Sequence, residues 1–205
     1  MLPFYTPFLS FLRDIANLME APPSGMMIHV PEDDFTEIHA IIPGPSGTPY
    51  CGGFFYFILK CTSEYPLAPP KVRLMTTGAG TVRFSPNFYS DGKVCLSILR
   101  TWYGPGWLPT MTLEGVLLSI QSVMSTNPLH NEPGFNPEES GPCEVLDYNL
   151  YVATETLQTA VAGMLQDRNI PEPLQEFMQK SFVKNFSLYE ELAVKNMMEA
   201  PKFMA

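Results

Sequence analysis

The hydrophobic positions change spacing several times along the chain, and each change marks a different kind of element. Between residues 6 and 20, Leu9, Leu12, Ala16 and Met19 recur on one helical face, widened by Phe8, Phe11, Ile15 and Leu18. Pro22-Pro23 ends that helix, because a proline pushes the residue before it out of the helical region. From there to about Leu74 the apolar residues close up into short β-rich runs punctuated by proline and glycine. Residues 35–42, 53–60 and 71–75 read as strands, joined by Pro43-Gly-Pro-Ser-Gly47 and by Tyr65-Pro-Leu-Ala-Pro-Pro70. Three or four sequential strands with short connections predict an antiparallel meander.

Residues 76–108 show no period and are rich in glycine and aromatics. A loop of that length inside a compact domain is uncommon unless it carries function. Helical spacing returns with Leu113, Val116, Leu117, Ile120 and Met124, opened by Thr112 and stopped by Asn127-Pro128. After a proline- and acid-rich loop over 127–141, Leu146, Leu150, Ala153, Leu157, Val161 and Met164 make one continuous stripe. Pro171 and Pro173 break it, and Leu174, Met178, Phe182, Phe186, Tyr189 and Leu192 predict one last helix. Helix, meander, long loop, helices is an α+β order, with helices segregated from a mostly antiparallel sheet. The expected division is a core domain over 1–165 and a helical extension over 166–205, packed on or beside it. The pattern leaves open which face of the sheet the helices cover.

A hydrophobic fraction of 45% makes the chain globular, and 205 residues suffice for a real core. Twelve Lys and Arg against twenty-one Asp and Glu give a net charge of -9, which repels a phosphate backbone or an anionic membrane. Neither nucleic acid nor membrane is therefore an expected partner. The four cysteines, Cys51, Cys61, Cys95 and Cys143, include no Cys-x-x-Cys pair, and His29, His39 and His130 are scattered, so no metal site is expected. No apolar run approaches the ~18 residues of a membrane span, and no signal peptide is legible at the start. A reducing compartment, cytoplasmic or nuclear, with free thiols is the expectation.

Candidate chemistry concentrates in residues 84–99, where Cys95 follows Asn87 by eight residues across the Asp91-Gly92 turn signal. Such a cysteine is either a buried, inert small hydrophobe or an accessible thiolate. Asn87 is either a plain turn residue or an amide donor aimed at an oxyanion near the sulfur. A cysteine hydrolase would need a histidine to activate the thiol, and none of the three sits in a protease signature. Residues 65–70 are a stiff strand connector or, with Leu67 at the tip, a docking loop of low ordering cost. Trp102, Tyr103 and Trp107 are a lid over the core or an exposed binding rim.

Five motifs in order make the combination specific. They are Tyr65-Pro-Leu-Ala-Pro-Pro-Lys-Val72, Pro86-Asn87, Gly92-Lys-Val-Cys-Leu-Ser-Ile-Leu99, Trp107 with Pro109, and Leu117-Leu-Ser-Ile-Gln-Ser122. Over roughly residues 6–165 the chain resembles the ubiquitin-conjugating (E2) enzymes. Leu74-Met-Thr-Thr-Gly78, Thr81-Val-Arg-Phe84, His130-Asn-Glu-Pro-Gly-Phe135, Lys180-Ser-Phe182 and Tyr189-Glu190 resemble a large member of that family, including its extension beyond the core. The resemblance implies the ubiquitin-conjugating (UBC) fold and a thioester carrier without a cofactor of its own, ATP being used by the activating enzyme. Cys95 would accept ubiquitin or a ubiquitin-like protein from that enzyme and pass it to a lysine or to a ligase thiol. Asn87 matches the family's active-site asparagine. Leu67, Pro69, Pro70, Leu108 and Pro109 match the two loops that meet ubiquitin ligases, and Arg13 matches the surface for the activating enzyme.

The departures from the family pattern also carry information. Ser85 stands where the family usually has histidine, leaving a serine to brace the Pro-Asn turn by local hydrogen bonding. Residues 101–106 lengthen the loop after Cys95. The family's acidic rim residue falls on Asn131 or on Glu132, according to whether the preceding helix or the following proline sets the register, and His130 lies beside both. Arg13 is the sole basic residue before Pro22, which suits a non-standard activating enzyme. The alternative from another class is a non-catalytic module of the same fold that binds ubiquitin or a ligase; variants of that kind lack the cysteine.

Overall fold

The computed structural model describes residues 5–136, 138 and 142–199. Helix α1, Tyr5–Glu20, lies against the sheet through Phe11 and Leu18, while Leu9, Leu12 and Met19 point outward. The expected face is thus inverted: of the side chains taken as widening it, Phe11 and Leu18 are buried and Ile15 half-buried, while Phe8 lies outside the residues whose side chains the structure describes. The helix is apolar on both sides, and the choice falls to the ring of Phe11, which packs edge-on against Tyr65 at 5.8 Å.

Four strands form one antiparallel meander in the order β1-β2-β3-β4: Met27–His29, Glu37–Pro43, Phe54–Lys60 and Lys71–Leu74. The three-residue β1 is too short to show a period in the sequence. Phe35 and Thr36 fall outside β2, because the Asp34 carboxylate accepts from the Thr36 N–H at 3.1 Å and closes a turn there.

Both faces of this sheet are covered. Ile28, Ile38, Ala40, Ile42, Phe55, Phe57 and Leu59 enter one core with α1 and with α2, Leu113–Ser122. The alternate residues Ile41, Phe54 and Tyr56 enter a second core with Val161, Met164, Ile170, Leu174, Met178 and Tyr189. A sheet buried on both sides reads as near-continuous apolar runs, which is why Phe54-Phe-Tyr-Phe-Ile-Leu59 shows no alternation. Thr112 caps α2 through its hydroxyl oxygen, which accepts from the Gly115 N–H at 3.1 Å.

Helix α3, Pro142–Glu155, runs through a wider π-helical stretch, Thr156–Gly163, into the last turn, α4, Met164–Gln166. That stretch serves both cores, with Ala160 on one side and Val161 on the other. The expected single last helix is two: α5, Glu172–Lys184, and α6, Phe186–Glu199. Asn185 separates them at φ -112 and ψ 27, and its side-chain amide donates to the Ser181 carbonyl at 2.9 Å. Asparagine competes with the helix by such local bonds. The break brings Phe182 and Tyr189 to 4.7 Å and lets the Tyr189 hydroxyl donate to the Gly52 carbonyl at 3.0 Å. Among the described residues no helix is long and apolar enough to cross a membrane.

Candidate active site

The chain reaches Cys95 through a turn that only glycine can make. Gly92 has φ +89, and a Cβ there would sit 2.6 Å from the Leu74 carbonyl oxygen. Asp91 caps the turn by accepting from the Lys93 N–H at 2.9 Å. Beyond it Phe88 and Val94 form an antiparallel bridge. The Cys95 N–H donates to the Asn87 carbonyl at 2.9 Å, and the Asn87 side-chain amide donates back to the Cys95 carbonyl at 2.9 Å. The eight-residue spacing therefore closes into direct contact between the two candidate residues. Asn87 is buried, and its Oδ1 has no partner among the described residues. The amide orientation is set by the Cys95 carbonyl, which accepts only from the NH2 end.

Ser85 takes over the brace. It is fully buried, and its Oγ accepts from the Asn87 N–H at 3.0 Å and from the Phe88 N–H at 3.1 Å. On the other side Thr101, the first residue of the lengthened loop, grips the neighbours of the cysteine. Its hydroxyl donates to the Val94 carbonyl at 2.7 Å and accepts from the Leu96 N–H at 3.0 Å. Cys95 itself is only 2% exposed. Burial pushes its thiol above the ordinary value of 9.0, while Lys93 and Arg83 pull it back and Asp91 adds to the rise. Of the two alternatives for this cysteine, the structure shows the buried one.

The rim is an open groove of about 750 Å³, with Arg100, Thr101, Trp102 and Tyr103 on one side and His130, Asn131, Glu132 and Pro133 on the other. All three rim candidates thus share one groove with the loop after the cysteine. Each has its own partner: Glu132 pairs with Arg83 at 3.2 Å, the Asn131 amide donates to the Val123 carbonyl at 3.3 Å, and His130 stacks on Phe135 at 5.4 Å. The aromatic trio divides. Trp107 is core, Trp102 is half-buried, and Tyr103 is 98% exposed.

A family model described as ubiquitin-conjugating enzyme matches residues 10–141. The chain belongs to the ubiquitin-conjugating enzyme family. It is similar to ubiquitin-conjugating enzyme E2 Z of Homo sapiens, 50% identical over 183 residues that cover 89% of this chain and 51% of that one. The same protein of Danio rerio is 49% identical over 183 residues, 89% of this chain and 56% of its own. The dual E2 ubiquitin-conjugating enzyme/E3 ubiquitin-protein ligase BIRC6 of Homo sapiens is 37% identical over 165 residues, 78% of this chain and 3% of its own. The chain spans about half the length of the E2 Z proteins it matches.

Within the family frame the two expected ligase loops form one surface. The Trp107 indole N–H donates to the Pro66 carbonyl at 2.7 Å, and its ring packs 5.8 Å from Tyr65. Leu67 is 65% exposed, with Leu108 and Pro109 exposed beside it, whereas Pro70 is buried and Pro69 half-buried. Arg100, in the left-handed region at φ 58, reaches the Leu67 carbonyl at 3.5 Å and so ties the cysteine loop to this surface. The Tyr65 hydroxyl donates to the Asp14 carboxylate, joining α1 to the same assembly, and Arg13 next to it is exposed.

Sequence reasoning gave no role to Thr101, Arg83 or Lys93. Thr101 lies in the inserted stretch, where no spacing points back to the cysteine. The Arg83 contact with Glu132 crosses 49 residues, and no local pattern carries it.

Proposed function

We propose that this protein is an enzyme that accepts ubiquitin or a ubiquitin-like protein on Cys95 as a thioester and transfers it to a substrate lysine or a ligase thiol. The observation that carries this is the mutual pairing of Asn87 and Cys95, in which the asparagine amide bonds the carbonyl of the cysteine itself. An activating enzyme, using ATP, presents the modifier as its own thioester. The Cys95 sulfur attacks that carbonyl carbon; a new C–S bond forms, the old one breaks, and the thiol proton of Cys95 ends on the departing activating-enzyme sulfur. In the second step a lysine amine attacks, an amide forms, Cys95 leaves as thiolate, and the proton released by the amine passes to the rim or to solvent.

Asn87 Nδ2 carries two hydrogens and gives one to the Cys95 carbonyl. The second supports a role as oxyanion donor in both steps, a contribution of roughly 2.7–4 kcal/mol when such a donor is well placed. The exposed Leu67, Leu108 and Pro109 suit a ligase, and the α1 surface at Arg13 suits an activating enzyme, a non-standard one given its single basic residue. On this reading the chain needs no cofactor or metal and works in cytoplasm and nucleus.

Incubation with ATP, a panel of activating enzymes and their modifiers should yield a reductant-sensitive adduct on the wild type. Cys95→Ser should convert it to a reductant-resistant ester or abolish it. No adduct with any activating enzyme refutes the reading, and a normal thioester on Cys95→Ser assigns the chemistry to another cysteine. The 2% exposure of Cys95 favours one competing reading, a non-catalytic module binding ubiquitin or a ligase. That reading predicts ubiquitin or ligase binding without any adduct.

A further inference from the structure

Arg83 touches the two sides of the cysteine site at once. Its Nε donates to the Ser85 carbonyl at 3.3 Å, and its Nη2 donates to the Pro86 carbonyl at 3.4 Å and to Glu132 Oε2 at 3.2 Å. The guanidinium lies 4.5 Å from the centre of the Tyr89 ring, which also receives Lys93 at 5.4 Å. One planar group thus spans the turn that carries Asn87, the ring of Tyr89 and the opposite rim.

We infer that Arg83 is a positioning residue for the transfer step, locking the backbone turn at Ser85, Pro86 and Asn87 against the rim at Glu132. The inference rests on the thioester reading above and deepens it. Among the described residues the Asn87 side chain is held at its NH2 end alone, its Oδ1 having no partner there. Its aim therefore depends on where the backbone turn sits. The Ser85 carbonyl accepts from the Phe88 N–H at 3.1 Å within the turn, and Arg83 adds a second donor at 3.3 Å that ties this buried turn to the rim. The ion pair with Glu132 is two-fifths exposed on both sides and attracts only weakly in itself. What the guanidinium adds is a rigid fork whose donors point in fixed directions, which a lysine ammonium cannot reproduce. A displacement of about 1 Å at such a point is enough to cost up to roughly a hundred-fold in rate.

The test is single-turnover discharge of the charged protein to free lysine. For Arg83→Met the saturating rate should fall about ten-fold, several times more than the charging rate, while the lysine concentration for half-saturation moves less than about two-fold. Arg83→Lys should recover only a small part of the loss. In an Asn87→Ala background Arg83→Met should add nothing, because both act through one amide. Losses that multiply in the double variant, full rescue by lysine, or a half-saturation shift at unchanged rate overturn the proposal.

A second measurement needs no activating enzyme. In the wild type the side-chain NH2 of Asn87 should give slowly exchanging NMR signals, and in Arg83→Met faster exchange and altered shifts; unchanged signals overturn the proposal. A wild type that never charges refutes the functional reading, while the NMR comparison still decides the role of Arg83. Should Arg83→Met unfold, Glu132→Gln releases the rim end alone, and a smaller change in the same direction is the expected result; no change counts against the proposal.

Discussion

Replacing Ser85 by alanine removes one oxygen from a fully buried site, and the bonds around it set the size of the effect. Two backbone donors point at that oxygen, from Asn87 at 3.0 Å and Phe88 at 3.1 Å. The Phe88 N–H keeps a second acceptor, the Ser85 carbonyl at 3.1 Å, so its loss is small. The Asn87 N–H keeps none that the structure shows, and Asn87 is buried. One orphaned buried donor costs about 1–3 kcal/mol. For a domain of this size each kcal/mol lowers Tm by roughly 2–4 °C, so the expected fall is roughly 2–12 °C. Thermal unfolding followed by circular dichroism reads this directly, and amide exchange at Asn87 locates it. On the thioester function proposed above, the released turn should also slow lysine discharge more than charging. A fall under about 1 °C with unchanged protection of the Asn87 amide would refute the bracing role.

Further consequences follow from the packing and the charges. Leu174→Ala opens the fully buried centre of the second core and should cost about 2–5 kcal/mol in urea unfolding, as one transition; a separate early transition would show that α5 and α6 unfold apart from the sheet. Trp107→Phe removes the N–H that reaches the Pro66 carbonyl and should cost about 1 kcal/mol; unaltered stability would mean the two loops are held by other contacts. Alkylation of Cys95 by iodoacetamide should rise with pH to a midpoint above 9.0, since burial favours the neutral thiol; a midpoint below that value would contradict the buried site. Cys61 is pushed up to about 12 in the fold, chiefly by burial. The folded state then keeps a proton that the unfolded chain loses, so this contribution is intact below pH 9.0 and is lost as pH climbs towards 12.

Much of this protein is written in its local sequence. The α+β order, the meander, the cap at Thr112 and the Asp91-Gly92 turn before Cys95 follow from period and turn chemistry, which act over a few residues. The family motifs point to Cys95 and Asn87 as candidates, and the structure pairs the two. Other features depend on contacts between residues far apart in the chain. Which side of α1 is buried was decided by Tyr65 meeting Phe11. The closure of the second sheet face was decided by the helices from Val161 to Tyr189 folding back onto Ile41, Phe54 and Tyr56. The division of the last helix at Asn185 places Tyr189 against Gly52, across 137 residues. The same holds at the site, where Arg83, Thr101 and the Pro66–Trp107 bond have no local signature. A side chain's propensity is a property of its neighbours in sequence, whereas burial and hydrogen-bond partnership belong to the packed chain. Cys95 is for that reason legible along the chain as the candidate nucleophile, whereas its burial and the bonds that hold it follow from packing.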